Sequence, residues 1–431
     1  MESWLRGFVL ALGITAVAAV VASAAQTAET EKPNFNLAAA FQLPKLPGVS
    51  GQAADWRQWD SFFTFVVKRF GQDVPAAFKD PLGDAFLDSR YELTAAIAPG
   101  KGGDPVPELF LNGWKRLSPI MNKALPGLSK QTAGQYASFI GAADKLASIG
   151  GAGAQLGLVQ LSPDALRATA RILEPSGAAD PLAFSTNVDA GIRDLLGFGS
   201  PLAAPPTKRS RLHDGILMPE TQHAFALPPW FISSAIAAEL DAKKLNEWVP
   251  AGKDLQAYLK EVRGLLESLS NKISGNAKMN DEHKLLYRQI VYTAAWQESC
   301  WRQYIKKGNK LVPLASTTGD LGLMQVNRNT WRGVYDLNAL GGDIEYNGNA
   351  GGEILLNYLT RYAIRKNEDK QQGGNLARAT YSAYNGGPGA LGRYRSAKPN
   401  PELKKVDEAF WEKFQVVSSG RELDVQRCYQ K

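Results

Sequence analysis

Trp59, Phe62, Phe63, Val66 and Phe70 recur at three- and four-residue intervals, the spacing that gathers side chains on one face of a helix. The period returns in the stretches Leu109–Leu125, Gln131–Ile149, Pro163–Leu173 and Asp189–Leu196. It is clearest in Leu255, Tyr258, Leu259, Val262, Leu265, Leu266 and Leu269, an apolar stripe that reads as bundle core. No stretch alternates convincingly with period two, and no internal repeat is clear. Such a chain buries its stripes helix against helix, so the expected fold class is mainly α. Glycine, proline and Asp-Pro pairs such as Asp104-Pro105 and Asp180-Pro181 separate the segments.

At 431 residues and 44% hydrophobic composition, the chain has room for two or three domains. Arg6 precedes an apolar run from Gly7 to Ala24 that closes on Ala22-Ser23-Ala24, the pattern of an export signal cleaved after Ala24. The alternative is an uncleaved membrane anchor, because the run approaches bilayer-spanning length. We expect residues 1–24 as signal peptide, 25–55 as a Pro/Ala/Gly-rich tether and 56–199 as a helical N-terminal domain of unassigned role. Residues 200–229 read as a Pro-rich linker, and 230–431 as the domain that carries chemistry. Within this last domain, Trp230–Trp248 and Asp254–Asn271 read as helical. In an exported chain the two cysteines, Cys300 and Cys428, read as a disulfide, worth on the order of 4 kcal/mol before strain. Two unpaired thiols are the alternative.

The net charge is +7, with basic residues dispersed rather than striped, so nucleic acid is not an expected partner. An anionic polymer suits that balance, as does a merely soluble surface. Gly150–Gly157 fails as a phosphate loop: Leu156 stands where the last glycine belongs, and no strand precedes it. His213, His223 and His283 are scattered and there is no H-E-x-x-H, so no metal or other cofactor is expected.

Three motifs carry chemistry. The helical run Ile290–Gln297 delivers Glu298-Ser299. Glycosidic cleavage needs a carboxyl that stays protonated near neutral pH. Flanking Ala294, Ala295, Trp296 and Trp301 favour desolvation, and a helix C-terminus disfavours an anion. The plain alternative is a solvated glutamate at a helix end. The second motif, Gly319-x-x-Gly322-Leu323-Met324-Gln325, reads as a turn leading into a helix. There Gln325 offers amide hydrogen bonds and Met324 a pliable apolar contact, unless Met324 is simply core. In the third, Ala383–Gly389, Tyr384 is expected to set its hydroxyl beside the acid, and Asn385 to hold the loop or a ligand.

The order of these motifs resembles the soluble lytic transglycosylase domain, a lysozyme-like fold acting on peptidoglycan. Glu298-Ser299, Ser316 through Gln325, Asn347 through Gly351 and Ala383 through Gly389 match that family's pattern over residues 281–400. The resemblance implies Glu298 as acid/base, with Ser316, Met324, Gln325, Tyr384 and Asn385 lining a saccharide groove. It implies peptidoglycan glycan strands as partner and a bacterial periplasmic location, at the inner membrane if the signal stays uncleaved. A role in opening the wall for an envelope assembly or secretion machine fits the unexplained N-terminal half.

One spacing and three positions depart from the pattern. The Glu298–Ser316 spacing is about twice the usual, and the extra residues include Lys306-Lys307-Gly308-Asn309-Lys310. That loop either edges the groove and meets wall carboxylates or is a solvated excursion. Asp320 and Gly386 replace alanines, and Ile354 stands where a tyrosine is frequent, with Tyr358 one turn on. Two rival readings stand beside the transglycosylase: a goose-type-lysozyme-like hydrolase using Asp320 on water, and a non-catalytic wall-binding scaffold.

Overall fold

The computed structural model describes residues 41–42, 54–155, 160–205 and 244–430. The signal sequence, most of the tether, most of the Pro-rich linker and the greater part of Trp230–Trp248 lie outside the described residues. The described chain divides into two compact units, Met1–Ser185 and Thr186–Lys431. It is mainly α, as the periodicity requires.

The first unit contains α1 (Trp56–Asp73), α2 (Ala76–Ala96), α3 (Val106–Ala124), α4 (Lys130–Gln155) and α5 (Pro163–Leu173), with β1 (Phe41–Gln42) paired antiparallel to β2 (Gln160–Leu161). Asp55 opens α1 with a capping box: its carboxylate accepts from the Arg57 and Gln58 amides, and Gln58 accepts from the Asp55 amide. The stripe read from the sequence is the core, with Trp59 and Phe70 at 0% exposure. Helix α2 was not marked out by the periodicity, because Pro81 falls inside it and interrupts the pattern. Within this core Arg90 and Asp60 form a buried ion pair at 3.1 Å.

The second unit begins with α6 (Ala190–Leu196), followed by α7 (Leu255–Gly275) and α8 (Asp281–Ser299). Two antiparallel hairpins come next, β3 (Tyr304–Lys307) with β4 (Lys310–Pro313), and β5 (Asp320–Leu321) with β6 (Val326–Asn327). Helices α9 (Leu337–Gly342), α10 (Ile344–Asn357), α11 (Leu376–Gly386) and α12 (Pro401–Ser418) complete it, with a π-helical turn after α10 and a 3-10 tail, Glu422–Tyr429. The α7 stripe packs on α8 and α10. Gly348 and Gly352 of α10 admit this contact: a Cβ there would meet Leu269 and Ile273 of α7 at 2.6 Å.

Two expectations need correction. Helix α6, read as the end of a 56–199 domain, belongs to the second unit. Its Arg193 is fully buried, pairs with Glu353 at 3.1 Å and donates to the carbonyls of Phe198, Gly199, Ser200 and Val334. A buried guanidinium needs that set of acceptors, which fixes the segment to this unit. The basic insert is also no irregular loop but the β3–β4 hairpin.

Cys300 and Cys428 form a disulfide across 128 positions of sequence. The Tyr429 hydroxyl donates to the Cys300 carbonyl at 2.8 Å, and Arg263 holds Glu422 at 2.5 Å. The tail is thus pinned to the end of α8. Replacing both cysteines by serine is expected to lower the unfolding free energy by about 3 kcal/mol. Denaturant titration of the full chain measures this; an unchanged midpoint refutes it.

Candidate active site

Helix α8 starts on Asn280, whose side chain accepts the His283 amide at 2.8 Å, with Asp281 and Glu282 in the first turn. Its far end is set by two successive left-handed residues, Cys300 (φ 53°) and Trp301 (φ 61°). The Cys300 amide donates to Trp296 O at 3.0 Å and the Trp301 amide to Ala295 O at 3.2 Å. Left-handed backbone is costly for residues with a Cβ. The disulfide at Cys300 and the buried Trp301, whose indole donates to Tyr292 O at 3.0 Å, hold it in place. Glu298 therefore leaves the last turn in a fixed direction.

Glu298 is half-buried, and its Oε1 accepts from the Tyr381 hydroxyl at 2.7 Å. Burial pushes its pKa up to about 7; the Tyr381 hydrogen bond opposes this, the Asp320 charge adds to it, and Lys413 pulls it down. Tyr381 lies on α11 with its ring stacked on Phe410 of α12, 4.1 Å between centroids and 2° between planes. Burial holds its own ionisation far above the ordinary tyrosine range, so near neutral pH it serves as a neutral donor. Lys413 of α12 donates to Gln297 Oε1 at 2.7 Å, and burial lowers its pKa.

The wall facing this acid is the β5–β6 hairpin. Four side chains clamp its turn. Ser299 donates to Leu323 O at 2.6 Å, and Tyr384 donates to Met324 O at 2.6 Å. Buried Gln303 accepts the Leu323 amide at 2.7 Å and donates to Leu340 O and Gly341 O at 3.1 Å. Buried Asn347 accepts the Met324 amide at 2.8 Å and donates to Leu321 O at 2.7 Å. Gly322 is required twice over: its φ is +70°, and a Cβ there would lie 2.3 Å from Gln303 Oε1. Gln325 is itself left-handed (φ 48°), with its amide turned back onto Gly322 O at 2.7 Å.

Several assignments change in place. The turn after Gly319 leads into β6, not into a helix, because Gln325 leaves helical backbone. Tyr381, not Tyr384, meets the acid; Tyr384 fastens the Met324 carbonyl instead. The two rings lie on neighbouring turns of α11, three residues apart, and helix orientation decides which one reaches Glu298. Met324 is 0% exposed, so its side chain is core rather than groove wall. It packs over Gly351, where a Cβ would fall 2.4 Å from Met324 Cβ. That contact explains the small residue in the Asn347-to-Gly351 motif.

Ser316 is the hub of its loop: its hydroxyl donates to Asp320 Oδ2 and accepts the Thr318 and Asp320 amides at 3.2 and 3.0 Å. The same Asp320 oxygen takes the Thr318 hydroxyl at 2.7 Å, and its Oδ1 takes the Asn327 amide at 2.8 Å. Asn385 is exposed at the end of α11, with no side-chain partner among the described residues. Ile354 and Tyr358 are both buried, the Tyr358 ring lying 5.3 Å from that of Tyr362. The residues the sequence reading left unassigned are Tyr381, Gln303 and Lys413. Tyr381 carried a signal, its three-residue offset from Tyr384; the other two carried none.

No cluster of three or more His, Cys, Asp or Glu placed to hold a metal occurs among the described residues, and no described helix is long and apolar enough to cross a membrane. A large cavity of about 1820 Å³ lies apart from the acid; Asn246, Asp343 and Arg361 line it, but Glu298 and Tyr381 do not.

A half-buried carboxyl poised near neutrality, one tyrosine donor and a clamped glycine hairpin define an acid site in a mainly α, lysozyme-like unit. Residues 276–406 match the family model described as Transglycosylase SLT domain. The resemblance read from the motifs thus holds for this segment. Lys413, Cys428 and the whole first unit lie outside the match. No curated protein and no solved structure matches the chain.

Proposed function

We propose that the second unit cleaves the β-1,4 bond between N-acetylmuramic acid and N-acetylglucosamine, leaving 1,6-anhydro-muramoyl ends, with Glu298 as the single acid and base. The observation that carries this reading is the pairing of a protonatable Glu298 with an Asp320 already occupied by three side-chain donors. An inverting hydrolase needs a free second carboxylate to activate water. Asp320 is spent on the Ser316–Asn327 loop, so the chemistry falls to one carboxyl, as in the substrate-assisted exceptions.

In this mechanism the Glu298 proton passes to the glycosidic oxygen as its bond to C1 breaks. The acetamido oxygen of the muramoyl residue stabilises the resulting cation. The Glu298 carboxylate then takes the proton of the C6 hydroxyl while O6 bonds to C1. Glu298 ends protonated, and no water enters the product. Tyr381 holds the carboxylate by one hydrogen bond between the two steps. Asn385, and the face of Gln325 left open, are the contacts we assign to the sugar chain.

Digestion of purified sacculi tests the reaction: anhydro-ended muropeptides, one water lighter than hydrolytic products, are expected in mass spectra. Reducing ends instead give the hydrolase reading. Sacculus binding without any release gives the scaffold. The substrate and the disulfide support a periplasmic location after export.

Tyr381→Phe tests the acid's setting. Losing the hydrogen bond that favours the anion raises the Glu298 pKa further. The alkaline limb of the activity–pH profile is expected to move upward, with turnover falling about tenfold. An unmoved limb sinks the assignment of Tyr381 as the acid's partner.

A further inference from the structure

The β3–β4 hairpin is a two-stranded element whose strands pair with no third strand among the described residues. Tyr304 pairs with Pro313, Ile305 with Val312, Lys306 with Leu311 and Lys307 with Lys310. Two residues, Gly308 (φ 59°) and Asn309, make the turn, a length that fixes strand register. At the base, the Tyr304 hydroxyl donates to Asn246 Oδ1 at 3.2 Å and the Leu314 amide to Gln303 O at 2.8 Å.

The tip is electrostatically unfavourable as it stands. Lys307 and Lys310 are cross-strand partners, and like charges in that position destabilise a hairpin. Lys306 adds a third charge beside them. All three are exposed, and none is paired with a carboxylate among the described residues. Asp320 is engaged by Ser316, Thr318 and Asn327, and Asp343 by Asn246. A rigid hairpin that gathers unneutralised cations is completed by an external anion.

The hairpin is continuous with the site. From β4 the chain runs through Leu314, whose carbonyl accepts the Gly322 amide at 2.8 Å, to Ala315, which bridges to Leu321. Ser316 then donates its amide to Asp320 O at 3.0 Å. Six residue steps lead from Lys310 to Ser316, at most about 20 Å at the usual rise of extended chain. That distance reaches a neighbouring branch of a bound polymer rather than the bond being cleaved.

We propose that the Tyr304–Pro313 hairpin is a cationic finger that binds the carboxylates of the peptide branches on the glycan strand, through Lys306, Lys307 and Lys310. The proposal rests on the peptidoglycan reading above and adds its recognition of charge. The finger contributes affinity and processing of peptide-bearing strands, not the chemical step.

The test uses the full chain carrying Glu298→Gln, so that binding is read without turnover, by co-sedimentation with purified sacculi. Adding Lys306→Gln, Lys307→Gln and Lys310→Gln is expected to weaken binding about tenfold at low salt, the summed effect of three exposed ion pairs. Raised salt removes the difference, and the triple Lys→Arg variant keeps full binding, which excludes misfolding as the cause. On sacculi stripped of peptides by an amidase, parent and triple glutamine variant are expected to bind equally. Equal binding on intact sacculi overturns the proposal, as does the same deficit on stripped glycan. A deficit seen only on vesicles containing anionic phospholipid reassigns the finger to a membrane surface and also overturns it. In the active chain the glutamine variant is expected to raise KM and leave kcat unchanged. If the unmutated chain releases no muropeptides, the catalytic reading falls while the sedimentation result still decides the finger.

Discussion

Glu298→Gln is expected to lower muropeptide release from sacculi by ~1000-fold or more, because the amide neither gives nor takes the proton on which both steps depend. Gln keeps an oxygen to accept the Tyr381 hydroxyl, so the site's architecture survives the change. The same variant has a stability signature with a definite sign. The folded-state pKa of Glu298 is raised from 4.5 to about 7, so the folded chain holds this proton more tightly than the unfolded one. The associated stabilisation is complete below pH 4.5 and is lost as pH rises through about 7. It amounts to about 3 kcal/mol. Between pH 5 and 8 the parent is expected to lose most of that stability relative to Glu298→Gln, by denaturant unfolding at each pH. Parallel curves contradict a half-buried, proton-holding acid, and unimpaired release by the variant removes Glu298 from the mechanism.

Asn347→Ala is the substitution expected to damage the second unit most. It takes the side-chain acceptor from the Met324 amide, removes the donor to the Leu321 and Leu340 carbonyls, and opens a cavity in a buried position. Three lost hydrogen bonds at about 1 kcal/mol each, with the cavity, sum to about 4 kcal/mol. Activity is expected to fall with stability, because the lost bonds hold the turn that faces Glu298. Asn347→Asp separates the two effects: it restores an acceptor for the Met324 amide but removes the donor to Leu321. An Asn347→Ala chain with unchanged unfolding midpoint and normal release contradicts the clamp.

The helices were legible because a buried stripe forces a period, as in Leu255 through Leu269. The acid was legible because apolar neighbours and a helix end shift a carboxyl in a known direction. The hairpins were not. Tyr304-Ile305-Lys306-Lys307 and Lys310-Leu311-Val312-Pro313 leave the protein at their lysine ends, so no face alternates in burial and period two is absent. The β5 and β6 strands have two residues each, too few for any period. Gly319-x-x-Gly322 has the composition of a helix start, and only the left-handed Gln325 excludes it. Choosing between Tyr381 and Tyr384 required the rotation of α11 about its axis, which the packing of Phe410 and Asp407 decides and local sequence does not. Tertiary partners with no local pattern, such as Gln303 and Lys413, were beyond reach for the same reason.

Because Cys428 follows every other residue of the site in the chain, the fastening of α8 comes last in time. A ribosome must finish the second unit, and an oxidant must then join sulfur to sulfur, before the left-handed end of that helix is covalently secured. Until that bond closes, the buried Trp301 indole, donating to Tyr292 O, is what holds the end of the helix.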